Sequence, residues 1–175
     1  ALQKAAQAAG VAIDLVRIGS RGMVWLEPLV EVEIEGQRIG YGPVNATDVP
    51  ALVTAGLFNG AAHALRLGAV DSLPYIARQE RLTFARVGLI DPLNLDAYVQ
   101  HGGYAGLKRA LTLSGAQVVQ EVTDSGLRGR GGAAFPTGIK WKTVLDQQVD
   151  QKYVVCNADE GDSGTFSDRM LMEGD

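Results

Sequence analysis

Between Leu29 and Glu35 the chain alternates apolar and acidic residues, Leu29-Val30-Glu31-Val32-Glu33-Ile34-Glu35, which marks a half-buried strand. Glu35-Gly36-Gln37 turns the chain, and Arg38-Ile39-Gly40-Tyr41-Gly42 returns as the second strand of a hairpin. Ahead of this pair, the Ala-rich start reads as a helix ended by Gly10, and Val11 to Arg17 reads as a strand. Thr47-Asp48 caps a helix that runs to about Leu57. Residues 1–57 are therefore expected to form a compact helix–strand–strand–strand–helix unit. Residues 58–92 read as a linker carrying one strand, Leu82 to Val87. From Asn94 the pattern turns helical, with helices over Tyr104–Leu111 and Ala116–Ser125. A buried strand then ends at Cys156, and a last helix follows Asp162-Ser163-Gly164-Thr165.

The 175 residues suit one ordinary domain or two small ones. With 46% apolar and 21% charged residues, the chain has enough apolar surface to fold. No apolar run approaches the ~18 residues that span a bilayer. A net charge of −4 argues against a general nucleic-acid binder. The single cysteine, Cys156, excludes an internal disulfide and any all-cysteine metal or iron–sulfur site within the chain. His63 and His101 are too few for a histidine-based metal centre, and both read as structural or surface residues. The chain lacks an initiator Met, starts inside a helix and stops inside another, so it is expected to be a piece of a longer protein.

Glycine changes the picture: 22 of 175 residues, nearly double the ~7% average. Five glycines fall in Ser125-Gly126-Leu127-Arg128-Gly129-Arg130-Gly131-Gly132-Ala133-Ala134-Phe135-Pro136-Thr137-Gly138-Ile139-Lys140-Trp141-Lys142. From Ser125 to Leu145 there are four basic residues and no acidic one. Glycines let backbone N–H groups approach an anion, and successive N–H groups form a nest. Arg and Lys add charge-assisted hydrogen bonds to phosphate, and the helix around Lys140 aims its positive end the same way. Gly129-x-Gly131-x-x-Ala134 satisfies the dinucleotide fingerprint formally, but no strand precedes it, and Pro136 and Gly138 interrupt the helix it would need to open. Nor is there a P-loop. The segment reads as a phosphate cradle of another type.

A second segment, Lys152-Tyr153-Val154-Val155-Cys156-Asn157-Ala158-Asp159-Glu160-Gly161-Asp162-Ser163-Gly164-Thr165, sets a polar, acidic cluster at a strand's C-terminal end. Carboxylates there suit ribose or ribityl hydroxyls, not phosphate. A plainer role, opening the last helix with a capping turn, is compatible with the first. A metal site from Asp159, Glu160 and Asp162 is the weaker alternative.

These two segments resemble those of the flavin-bearing, NADH-oxidising subunit of respiratory complex I and its relatives, the diaphorase subunits of NAD-reducing hydrogenases and of NAD-dependent, metal-containing formate dehydrogenases. The family pattern is close to G-L-R-G-R-G-G-A-G-F-P-T-G-x-K-W followed by x-V-x-C-N-A-D-E-x-E-P-G-[ST]-F-x-D-R. Here Ala134 replaces a Gly, Asp162 a Glu and Ser163 a Pro. The resemblance implies that Gly129, Arg130, Gly131 and Lys140 line the phosphate side of FMN. It implies that Asn157, Asp159 and Glu160 hold the ribityl chain or ring edge. Gly132, Ala133 and Phe135 would meet NAD(H), with Phe135 stacking on adenine, and Asp162 would lie near the nicotinamide.

By the same resemblance, Gly19 to Pro28 is similar to the ligand loop of a thioredoxin-like [2Fe–2S] domain, with Ser20 and Val24 where the family has cysteines. The implied fold class is α/β: a cluster-free thioredoxin-like domain over 1–57, a linker over 58–92, and the start of an FMN-binding α/β domain, not a true Rossmann fold, over 93–175. A [4Fe–4S] cluster is implied for the parent protein, with ligands outside this chain. The implied partners are a [2Fe–2S] small subunit and a catalytic subunit carrying iron–sulfur clusters and molybdenum or tungsten. The implied location is the cytoplasm. Arg86 to Pro92 and His101-Gly102-Gly103-Tyr104 favour the formate dehydrogenase β subunit within the family. A reading of a different class is a docking scaffold with a vestigial nucleotide loop.

Overall fold

The computed structural model describes residues 1–175, and these form two compact units, 1–98 with 160–175, and 99–159. Helices and a small sheet give a mixed α/β chain. In order the elements are α1 (Leu2–Ala8), β1 (Val30–Ile34), β2 (Gln37–Tyr41), α2 (Val49–Thr54), β3 (Arg66–Ala69), α3 (Pro74–Ala77), α4 (Leu95–Gln100), α5 (Ala105–Ala110), α6 (Gly115–Asp124), α7 (Thr137–Leu145) and α8 (Ser167–Gly174).

The first unit is organised by the expected hairpin. β1 and β2 pair antiparallel, with Val30 opposite Tyr41, Val32 opposite Ile39 and Ile34 opposite Gln37. Glu35 and Gly36 both take positive φ, 51° and 76°, which matches the twist of the flanking strands. β3 completes a three-stranded sheet in the order β1-β2-β3, so the stretch expected as a linker supplies an edge strand.

Ile39, Tyr41, Val44, Val49, Leu52 and Leu57 form the main core between the sheet and α2. Tyr41 is wholly buried, and its hydroxyl donates to the Ala61 carbonyl at 2.6 Å. A second cluster joins Met23, Val70 and Ile76. Beside it the buried Arg21 makes a two-pronged bond to Glu31, at 2.6 and 2.8 Å. Arg38 adds a third contact to Glu31 at 3.6 Å and donates to the carbonyls of Gly88 and Leu89.

Three expected strands are absent. Residues 11–17, 82–87 and 152–156 carry no strand, and Val11, Leu15 and Val16 are exposed. An apolar, β-branched run becomes a strand only where a neighbour takes up its backbone groups, and none lies alongside these. Cys156, expected as a small buried residue, is exposed. Asp48 does not cap α2; its carboxylate accepts from the Asn45 N–H at 2.7 Å instead.

In the second unit α6 begins at a capping box: Ser114 Oγ accepts from the Gln117 N–H, and the Gln117 side chain accepts from the Ser114 N–H. α6 and α7 pack at Gly138, where an added Cβ would overlap the Thr123 hydroxyl and lie 2.8 Å from the Thr123 Cα. Glycine is what permits that approach.

Candidate functional site

The basic loop is closed at its neck. The Thr137 N–H donates to the Leu127 carbonyl and the Gly129 N–H to the Phe135 carbonyl, each at 2.9 Å, and Arg128 bridges antiparallel to Pro136. Arg128 Nη1 also donates to the Ala134 carbonyl at 3.0 Å. Arg128 therefore shapes the loop, while Arg130 is left with no ion pair or side-chain hydrogen bond. α7 follows at once and starts beside the neck, at Thr137.

Lys140, one turn into α7, returns over the loop. Its Nζ lies 2.8 Å from the position a Cβ on Gly129 would take, and it too makes no ion pair or side-chain hydrogen bond. At Gly131 and Gly132 nothing lies within 4 Å of an added Cβ, so their backbone faces open space. Two uncommitted cations and bare backbone within one loop fit a phosphate group, as the sequence pattern implies. Phe135 is half exposed and Ala133 exposed, both on this loop.

Ala134, where the family pattern has Gly, adopts φ of 50°. That left-handed conformation costs an L-residue roughly 1–2 kcal/mol. The reason for Gly there is thus a backbone angle, whereas the sequence suggests only a matter of space.

The acidic segment is divided between the two units. In the second unit Asn157 Oδ1 accepts from the Asp159 N–H at 3.0 Å, a local turn that leaves the Asp159 carboxylate exposed and unbonded. In the first unit Glu160 is fully engaged. Its Oε1 accepts from the N–H of Ser167 at 2.6 Å, the hydroxyl of Ser167 at 2.7 Å and the N–H of Asp168 at 3.0 Å. Its Oε2 accepts from the Arg169 N–H at 3.4 Å. Burial pushes this carboxyl's pKa up. The bonds from Asp168, Ser167 and Arg169 outweigh that and hold it below the usual carboxylate range. Glu160 therefore caps α8, the plainer of the two roles the sequence allows for this segment. Asp162 remains exposed in the turn between, where its carbonyl accepts from the Thr165 N–H.

No group of three or more His, Cys, Asp and Glu is placed to hold a metal ion. The loop with Ser20 and Val24 does not fit an iron–sulfur cluster. The Ser20 hydroxyl donates to Glu27 at 2.5 Å and accepts from the Gly22 N–H, and the Val24 side chain is 64% exposed. The residue that matters in this loop, missed from sequence, is Arg21. Its neighbours, Ser20 and Gly22, carry no signal of burial.

Residues 122–175 fit the family model of the Nuo51 FMN-binding domain. Among particular proteins, the chain is 54% identical over 98 residues to the NADP-reducing hydrogenase subunit HndC of Solidesulfovibrio fructosivorans, covering 56% of this chain and 20% of that protein. It is 49% identical over 84 residues to an NADH-quinone oxidoreductase subunit of Escherichia coli (strain K12), covering 47% of this chain and 19% of that one. It is 54% identical over 66 residues to the NAD-reducing hydrogenase HoxS subunit alpha of Cupriavidus necator, covering 38% and 11%. The chain spans about a fifth or less of the length of these curated relatives. No helix is long and apolar enough to cross a membrane.

Proposed function

We propose that this chain is part of a flavoprotein subunit that binds FMN and NAD(H) and exchanges electrons with iron–sulfur clusters carried elsewhere in a multisubunit oxidoreductase. The observation that carries this reading is Lys140: an unpaired ammonium held over Gly129, at the edge of a neck-closed glycine loop. Arg130 and Lys140 would balance the charge of the flavin phosphate beside Gly129, and the N–H groups of Gly131 and Gly132 would bond its oxygens. Asn157 and Asp159 would receive the polar edge or ribityl hydroxyls. Phe135 and Ala133 would offer an apolar surface to the adenine of NAD(H), and Asp162 would face the nicotinamide end. Bound flavin supplies the hydride and single-electron chemistry; these residues bind and orient.

Within this reading the first unit keeps a cluster-free, thioredoxin-like role as a docking body. Its support is that Ser20 and Val24 stand where the family pattern has cysteines, and that the loop's polar groups are satisfied internally. The finer assignment is to a formate dehydrogenase, supported by the phrases at Arg86–Pro92 and His101–Tyr104. A diaphorase of a hydrogenase is the second reading, favoured by the similarity to HndC and to HoxS subunit alpha.

The deciding experiment is Lys140→Ala in the full-length protein, with FMN titrated into flavin-stripped samples. Loss of a charge-assisted bond of about 1.5–3 kcal/mol should weaken FMN about 10- to 150-fold. An unchanged affinity would overturn the cradle and leave the scaffold. Reduction of the intact complex by formate or by hydrogen separates the two finer readings.

A further inference from the structure

Two carboxylates, Glu160 and Asp175, hold α8, and Met170 and Leu171 are half-buried between them. One side of the helix, from Phe166 to Glu173, borders an open cavity of about 480 Å³ shared with Val24, Tyr75 and Phe84. At the N-terminal end Glu160 bonds the N–H groups of Ser167, Asp168 and Arg169. At the C-terminal end Asp175 takes a fork from Arg86, Nε to Oδ1 at 2.6 Å and Nη2 to Oδ2 at 2.8 Å. The two residues are 89 positions apart in sequence. The Arg86 guanidinium lies 4.9 Å from the centre of the Tyr98 ring, which fixes its plane. Beside it Gly174 sits against Val87 and Gly19 so closely that a Cβ on either glycine would overlap its neighbour. The side-chain pair is mostly shielded, with Arg86 26% and Asp175 10% exposed.

We propose that Arg86 is a positioning residue: its fork to Asp175 holds α8 and thereby sets the turn Glu160–Phe166, which carries Asp162. On its cavity side α8 has only Met170 half-buried, beside Gly22, while Arg169 and Glu173 are exposed. Without the fork α8 can shift, and the turn that leads into it shifts with it. The consequence for nucleotide binding rests on the reading of Asp162 given under Proposed function; the clamp itself does not.

The test uses the full-length protein with three variants: Arg86→Ala, Arg86→Lys, and the exchange Arg86→Asp with Asp175→Arg. Backbone hydrogen exchange over 160–175 reports the clamp, with the 30–41 hairpin as internal reference, and NADH titration at constant flavin content reports the site. Arg86→Ala should speed exchange over 160–175 by about tenfold or more and leave the hairpin unchanged. NADH should bind about fivefold or more weakly, within the coupling expected of a positioning contact. Lys, without the fork, should fall between. The reversed pair should recover much of the loss, which a general loss of folding would not. Unchanged exchange over 160–175 overturns the clamp. Faster exchange with unaltered NADH affinity overturns the positioning role. Wild-type protein that binds no NADH at all overturns the reading of the site instead, and the exchange result then decides the clamp alone.

Discussion

Every buried hydrophobic side chain lies between Ala6 and Ile90, in the unit of 1–98 and 160–175. The unit of 99–159 buries only two residues, Gly103 and Gly138, and leaves Leu107, Leu111, Phe135, Ile139 and Trp141 exposed. The first unit is held by side chains filling space around a sheet. The second is shaped by backbone: a capping box, a glycine contact between helices and a loop tied at its neck. The packed core and the proposed phosphate loop thus lie in different parts of the chain, and they should respond to different substitutions.

The largest contrast concerns ion pairs. Glu31→Ala should strand the buried Arg21 and cost about 3–5 kcal/mol in urea unfolding. Asp146→Ala, which breaks the exposed i,i+4 pair with Lys142, should cost under about 1 kcal/mol. Equal effects would mean that Arg21 is solvated. Next is apolar truncation. Leu52→Ala should destabilise the first unit by about 2–5 kcal/mol, whereas Leu111→Ala, at 77% exposed, should stay within about 0.5 kcal/mol, both read by thermal melting.

Glycines reverse the direction of interest. Gly138→Ala forces a Cβ into Thr123 and should cost about 1–3 kcal/mol through separation of α6 and α7, seen as a drop in helical signal on heating. Gly131→Ala meets open space, so the fold should be unmoved and only FMN affinity should fall. The smallest effect is that of pH on α8. Glu160 has a lowered pKa in the folded chain, so its capping contribution is fully present above the ordinary carboxylate pKa. It should be lost as pH falls through that value toward the lowered one. Hydrogen exchange over 167–174, corrected for intrinsic rates, should rise in that window, and Glu160→Gln should flatten the response.

The hairpin was legible because two signals agree there: strict alternation from Leu29 to Glu35, and a turn at Glu35-Gly36 able to take positive φ. α5 and α6 were legible from helical pattern, and α7 as the helix around Lys140, whereas the capping box at Ser114 was not read. β3 was not, because Arg66-Leu67-Gly68-Ala69 has no alternation and Gly68, at φ of 92°, is a weak strand former. The basic glycine loop could be read locally, since it closes within a dozen positions. Glu160 could not be separated from its acidic neighbours, because a carboxylate that caps and one that binds sugar differ only in where the following helix begins.

The tied neck of the basic loop has a consequence for timing. A glycine-rich segment normally samples many conformations, and a ligand must select one, losing affinity to the ordering. Here the Thr137–Leu127 and Gly129–Phe135 bonds restrict that sampling as the chain folds, before any anion arrives. On the proposed reading, the encounter is one between a charged group and a surface already shaped for it, with speed governed by diffusion and salt, not by loop rearrangement.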